Sequence, residues 1–242
     1  MQKNLNNKWL NPYFKVKFYP HPFPKQVEKF VRKIVKETLL NHPFWDENST
    51  LQVDEIKILV HVIAEDMEKY PDFNFGRIEY RRNYDLILLG FGLHSMIKDE
   101  YLNRPDVKKV LSKERIDVKM IDDCKLKTLL FHELGHVFDE ANGKFGYSSE
   151  WHLGLSEEQF SLFKNLWNTS IDGRLSRAGF PTFESSENRI SEVSGWALAY
   201  NRNVDEIKIE KIARDIWNRE FISYEELEEI VCREIPFEPR KP

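Results

Sequence analysis

Leu129-Leu130-Phe131-His132-Glu133-Leu134-Gly135-His136-Val137-Phe138 is the stretch on which the reading of this chain turns. Its apolar residues precede the polar pair and its interior positions are uncharged, a pattern that lets a helix be buried while selected side chains face a cleft. Asp122 or Asp123 can cap the start of that helix, which is expected to run to about Ala141 and to stop at Asn142-Gly143.

Four residues separate His132 from His136, so on a helix both imidazoles project from one face at a spacing that suits a single zinc ion. Glu133 lies beside them and can take a proton from water that such an ion has acidified. With 7 His and 26 Glu in 242 residues, His-Glu-x-x-His arises by chance in roughly 2% of chains of this composition. Its placement in the middle of an apolar helix makes accident rarer still.

Outward from this helix the pattern mixes both periods. Phe14, Val16 and Phe18 alternate as in a strand, and the proline-rich stretch Tyr19 to Pro24 separates them from a helix carrying Val27, Phe30, Val31, Ile34, Val35 and Leu39 on one face. Ile56, Leu59, Val60, Ile63 and Met67 predict a second helix from about Asp54 to Tyr70. Gly76 to Arg82 and Tyr84 to Leu89 read as a hairpin, the first run charged at alternate positions like an exposed edge and the second apolar like an interior strand. Ile116, Val118 and Met120 predict one more short strand.

Beyond the central helix, Ser156-Glu-Glu-Gln159 is a capping box opening a helix to Ala178, ended by Gly179 and Pro181. Ser185 or Ser186 opens another through Tyr200, and the tail carries helices near Asp205 to Arg219 and from Ser223 to about Arg233. The expected class is α+β and helix-rich, a single domain over residues 1–242. A small, partly antiparallel sheet belongs to the half up to about residue 121, and a helical half follows from about 122.

A net charge of -4 with 31% charged residues of both signs gives no reason to expect a nucleic-acid partner, which calls for a basic face. No apolar run is long enough for a bilayer and the start has no signal-peptide core, so a cytoplasmic protein is expected. Cys124 and Cys232 are too few for a disulfide scaffold.

His132-Glu-Leu-Gly-His-Val-Phe-Asp139 resembles the active-site helix of the zincin metallopeptidases. The resemblance covers this helix and little else. It implies a zincin-like fold, His132 and His136 as zinc ligands, Glu133 as general base, and a peptide or protein substrate added beside the edge strand near Gly76 to Arg82. The extended form with a third histidine after a glycine is absent, so a carboxylate must complete the ligands. Asn168 and Asp172, on a helix followed by Ala178-Gly-Phe-Pro181, resemble the Asn-x-x-x-Asp helix of one group of zinc metallopeptidases in which the Asp is the ligand. Glu192, sharing a face with Gly195 and Ala199, resembles the ligand helix of the glutamate zincins. Asp172 is the first candidate, Glu192 the alternative and Glu187 a third.

Asp139 is a candidate to hold a ligand imidazole. Tyr147, His152, Arg189 and Tyr200 are unranked candidates for a donor to the reaction's oxyanion. The function expected is zinc-dependent peptide-bond hydrolysis. The alternative is a zinc-binding interaction module without turnover, which would have no use for Glu133 as a base.

Overall fold

Helical periodicity, capping and a few close backbone approaches account for most of what the chain forms. In the computed structural model the described residues are 14–19, 24–44, 55–61, 77–81, 86–92, 96–102, 116–141, 144–146, 154–200 and 204–235, with the backbone alone described for the strands, Leu102 and Ala141. They belong to two compact units, Met1–Ala141 and Asn142–Pro242. The boundary falls after Ala141, later than the sequence placed the change from one half to the other, so the His-Glu-x-x-His helix belongs with the first unit.

In the first unit, α1 (Lys25–Asn41) buries Val27, Val31, Ile34, Val35 and Leu39, the stripe that its spacing predicts. Helix α2 (Asp99–Leu102) is a single turn. Ahead of it, Ile97 pairs with Ile121 in an isolated bridge, flanked by Lys98 N–H to the Met120 carbonyl at 2.9 Å and Asp122 N–H to the Met96 carbonyl at 2.7 Å. Met96 and Ile97 are wholly buried. This clamp fixes where α3 (Asp123–Ala141) begins, and Asp122 caps it, its Oδ1 accepting from the N–H groups of Cys124 and Lys125 at 3.0 Å each. Helix α3 packs against α1.

The expected α+β class is corrected here. Every residue described with its side chain lies in a helix, a turn, an isolated bridge or a connection, so the packed body so defined is helical and holds no strand. Strands occur only among residues described by backbone alone: β1 (Phe14–Tyr19), β2 (Glu55–His61), β3 (Arg77–Arg81) and β4 (Leu86–Gly92). Their order is β1-β2-β4-β3, with β1, β2 and β4 parallel and only β3 antiparallel to its neighbour. Parallel neighbours require crossover connections, whereas β3 and β4, consecutive and antiparallel, pair as the expected hairpin does.

Two local expectations also change. The helix expected over 54–70 has β2 at its start, because Ile56, Leu59 and Val60 satisfy either period and a strand flanked on both sides by parallel partners favours a continuous apolar run. Residues 62–70 lie outside the described set. Instead of a strand at Ile116 to Met120, Val118–Met120 is a 3-10 turn capped by Asp117, whose side chain accepts from Lys119 N–H; three alternating residues are too few to specify a strand.

The second unit is helical among its described residues. Helix α4 (Glu157–Arg177) opens with the Ser156/Gln159 capping box and closes at Gly179, whose φ of 76° suits a residue without Cβ. There the N–H groups of Gly179 and Phe180 return to the carbonyls of Ser176 and Leu175 at 3.0 Å each. Helices α5 (Ser186–Tyr200) and α6 (Glu206–Asn218) pack against α4 and each other. Helix α7 (Tyr224–Glu229) carries the second capping box and runs into a π turn at Ile230–Glu234. Phe145 stacks on Trp167 with centroids 4.8 Å apart, and its carbonyl accepts from Tyr224 N–H at 2.8 Å. Among the described residues no helix is long and apolar enough to cross a membrane.

Helix α6 crosses α4 at Gly173, where an added Cβ would stand 2.1 Å from the Trp217 carbonyl oxygen. The same carbonyl and that of Arg219 accept from Arg177. Because the obstacle is the Trp217 backbone rather than a flexible side chain, Gly173→Ala is expected to push the helices apart and cost about 1–3 kcal/mol or more. Urea unfolding followed by tryptophan fluorescence checks this; an unchanged midpoint would show that the crossing is loose.

Candidate metal centre

Residues 131–140 of α3 are buried without exception, although they include His132, Glu133, His136, Asp139 and Glu140, exposed by 4, 8, 7, 3 and 9% respectively. At about 100° per residue these five polar side chains fall within about 120° of the helix circumference. Leu126, Leu130, Leu134 and Val137, each wholly buried, occupy the other side. A helix that is apolar on one face and polar on the other normally gives its polar face to water. Here both are enclosed, and burying unsatisfied polar groups costs free energy.

The two imidazoles converge. His132 Nε2 and His136 Nε2 lie 3.4 Å apart, with ring centroids 5.0 Å apart and planes at 76°. A tetrahedral zinc with bonds of about 2.0–2.1 Å to nitrogen spans about 3.3–3.4 Å between two ligand atoms, 1.63 bond lengths. The donor atoms are therefore already at the separation that one such ion requires, and the donor set fits it.

Helix α3 is also held one residue before His132. His42, at the end of α1, is buried and its Nε2 is 2.8 Å from the Phe131 carbonyl oxygen, while its Nδ1 accepts from Phe44 N–H at 3.2 Å. The acceptor role of Nδ1 places the ring proton on Nε2, which donates to the helix carbonyl. The rings of Phe131 and Phe138 flank His42 at 5.6 and 4.8 Å. His42 was not among the residues that the sequence singled out; nothing in its local pattern marks a contact 89 positions away.

Glu140 was missed as well. Burial, and the neighbouring charges of Asp139 and Glu133, push its carboxyl well above its ordinary value of 4.5. Its Oε2 is buried with no hydrogen-bond partner among the described residues. The signal was available in the sequence, since Glu140 stands four residues after His136 and so on the same face.

Asp172, Glu192 and Glu187, the carboxylates considered as third ligand, lie in the second unit, where one guanidinium joins the first two. Asp172 on α4 is wholly buried; its Oδ1 accepts from Phe183 N–H at 3.1 Å, and its Oδ2 from Glu184 N–H at 3.2 Å and Arg189 Nε at 2.8 Å. Arg189, on α5, also gives Nη1 to Glu192 Oε2 at 2.7 Å, and the Glu192 side chain is 40% exposed. Arg189, weighed from the sequence as an oxyanion donor, is thus committed to two carboxylates. Asn168 is half-buried and Glu187 exposed. Tyr200 stacks on Trp196 at 5.4 Å. Tyr147 and His152 lie outside the described residues.

Asp122, Asp123 and Cys124 bring three potential ligand atoms within 4.8 Å of one another. Asp122 caps α3 and Asp123 pairs with Lys127 at 3.3 Å, which is ordinary helix-end chemistry.

Compared with family models, curated proteins and solved structures, the chain matches none.

Two outcomes follow from these burials. The raised carboxyl of Glu140 favours the fold when protonated: that contribution is complete below about 4.5 and is lost as pH rises through the raised value. Glu140→Gln, with metal chelated, is therefore expected to raise the melting temperature at pH 8 by a few degrees, and the gain should vanish at pH 4. Thermal melts at both values test it; an equal gain at both would separate the effect from ionisation. Asp172→Ala leaves buried Arg189 with only the partly exposed Glu192 to balance its charge and is expected to cost about 3 kcal/mol, read from the urea midpoint of α4 to α6 unfolding.

Proposed function

We propose that this protein is a zinc-dependent hydrolase, most specifically one that cleaves peptide bonds. The observation that carries the reading is the 3.4 Å approach of His132 Nε2 to His136 Nε2 on a buried helix that also presents Glu133. Zinc, when bound, supplies a Lewis acid that polarises the substrate carbonyl and acidifies a water molecule. His132 and His136 hold it through Nε2. Glu133 accepts the proton of the attacking water and returns it to the departing amine nitrogen. Burial of this helix keeps bulk water from screening those charges.

The carboxylate that completes the protein ligands is proposed from the sequence pattern: Asp172 first, Glu192 as the alternative. Asp172 accepts from the N–H groups of Phe183, Glu184 and Arg189, which fix its orientation. Glu192 is the more accessible of the two. The second reading, a zinc-binding interaction module without turnover, is favoured by no observation that the enzyme reading lacks.

Metal analysis of purified protein is expected to show about one zinc per chain. Glu133→Gln is expected to keep that metal while losing hydrolysis of unfolded protein or peptides by several orders of magnitude. If wild type and variant are equally inert across a peptide library while both hold zinc, the non-catalytic module is the better account. Under a mild chelator Asp172→Ala should lose zinc and Glu192→Ala should keep it, compared only on variants with unchanged circular dichroism. Retention by Asp172→Ala and loss by Glu192→Ala would reverse the assignment.

A further inference from the structure

Glu140 has no part in the chemistry just described, yet it is a buried acid whose Oε2 lacks a hydrogen-bond partner among the described residues. Ionisable side chains are almost never enclosed in this way without a partner or a ligand that uses them. Its place on the helix narrows the use. Side chains four residues apart on a helix have Cβ atoms about 5–6 Å apart, and both lean toward the helix N-terminus, which sets Glu140 one turn from His136; in the structure His136 Nδ1 and Glu140 Oε2 are both buried and are not bonded to each other.

The tautomer of His136 supplies the complement. With Nε2 given to a metal, a neutral imidazole carries its one proton on Nδ1 and becomes a donor there. Ligand imidazoles almost always hand that proton to a carboxylate or carbonyl, which fixes the ring and strengthens its donor nitrogen. A buried carboxylate oxygen one turn away is such an acceptor. We infer that Glu140 is a positioning residue for the metal centre, accepting a hydrogen bond from His136 Nδ1–H and so aiming Nε2 at the ion. The inference rests on the zinc reading above and replaces Asp139, the neighbour that the sequence suggested for this task.

The test uses the full chain, loaded with zinc and isotope-labelled at histidine, and compares wild type with Glu140→Ala, Glu140→Gln and Asp139→Asn. Glu140→Ala should weaken zinc binding by about 10- to 100-fold in chelator competition, and Glu140→Gln, whose amide oxygen still accepts, by less. The proton resonance of His136 Nδ1 should lie far downfield in wild type and Asp139→Asn, move upfield in Glu140→Gln and be lost to exchange in Glu140→Ala. Destabilisation alone would not move that resonance in a folded variant, and should the alanine variant fail to fold, the glutamine comparison decides. Wild-type zinc affinity with an unchanged ring proton in the Glu140 variants overturns the inference while leaving the zinc reading intact. Loss in Asp139→Asn instead assigns the role to Asp139. A wild type that takes up no zinc brings down both.

Discussion

Ten consecutive residues of one helix, 131–140, are enclosed on every side although five of them are polar, and the rest of the site follows from that constraint. Water cannot satisfy these groups, so each needs an internal partner or a bound cation. Two imidazoles whose donor nitrogens already stand a zinc edge apart are one answer, and the carboxylates on the same face would supply compensating charge for a divalent ion. The helix can be positioned for this because it is fixed twice. The 96–98 and 120–122 backbone exchange sets its start, and His42 grips the Phe131 carbonyl immediately before His132.

The second unit shows a different use of buried charge. Arg189 gathers Asp172 and Glu192, and Asp172 at the same time collects the N–H groups of Phe183 and Glu184 in the turn between α4 and α5. A carboxylate in a helix interior thereby organises the entry of the next helix. Such a network is costly to interrupt even where its net contribution is small, because removing Asp172 or Arg189 leaves the other charged and enclosed. Any role of Asp172 toward metal is superimposed on this structural one. Zinc retention and unfolding therefore have to be measured together for its variants.

Local rules made much of the helical part legible. Both capping boxes form, Ser156 with Gln159 and Ser223 with Glu226, and Gly179 closes α4 with positive φ, because caps depend on residues within one turn. His132, Glu133 and His136 were legible for the same reason, their relation being fixed by helical spacing alone. The segment at Ile56 to Val60 was misread because its four apolar residues satisfy both periods, and only pairing with β1 and β4 decides between them. His42 and the Arg189 bridge depend on long-range contacts that no local pattern announces. Glu140 is the instructive omission: the spacing that identified His136 places it on the same face, but a glutamate near a helix end reads as solvated until its burial is seen.

The central claim is that α3 holds one zinc through His132 and His136. Zinc K-edge absorption of the metal-loaded protein tests it most directly. The account predicts a first shell of two imidazole nitrogens at about 2.0–2.1 Å with oxygen completing the coordination, and loss of the imidazole scattering in His132→Ala and His136→Ala. A sulfur shell, or a zinc spectrum unchanged by both substitutions, would contradict it.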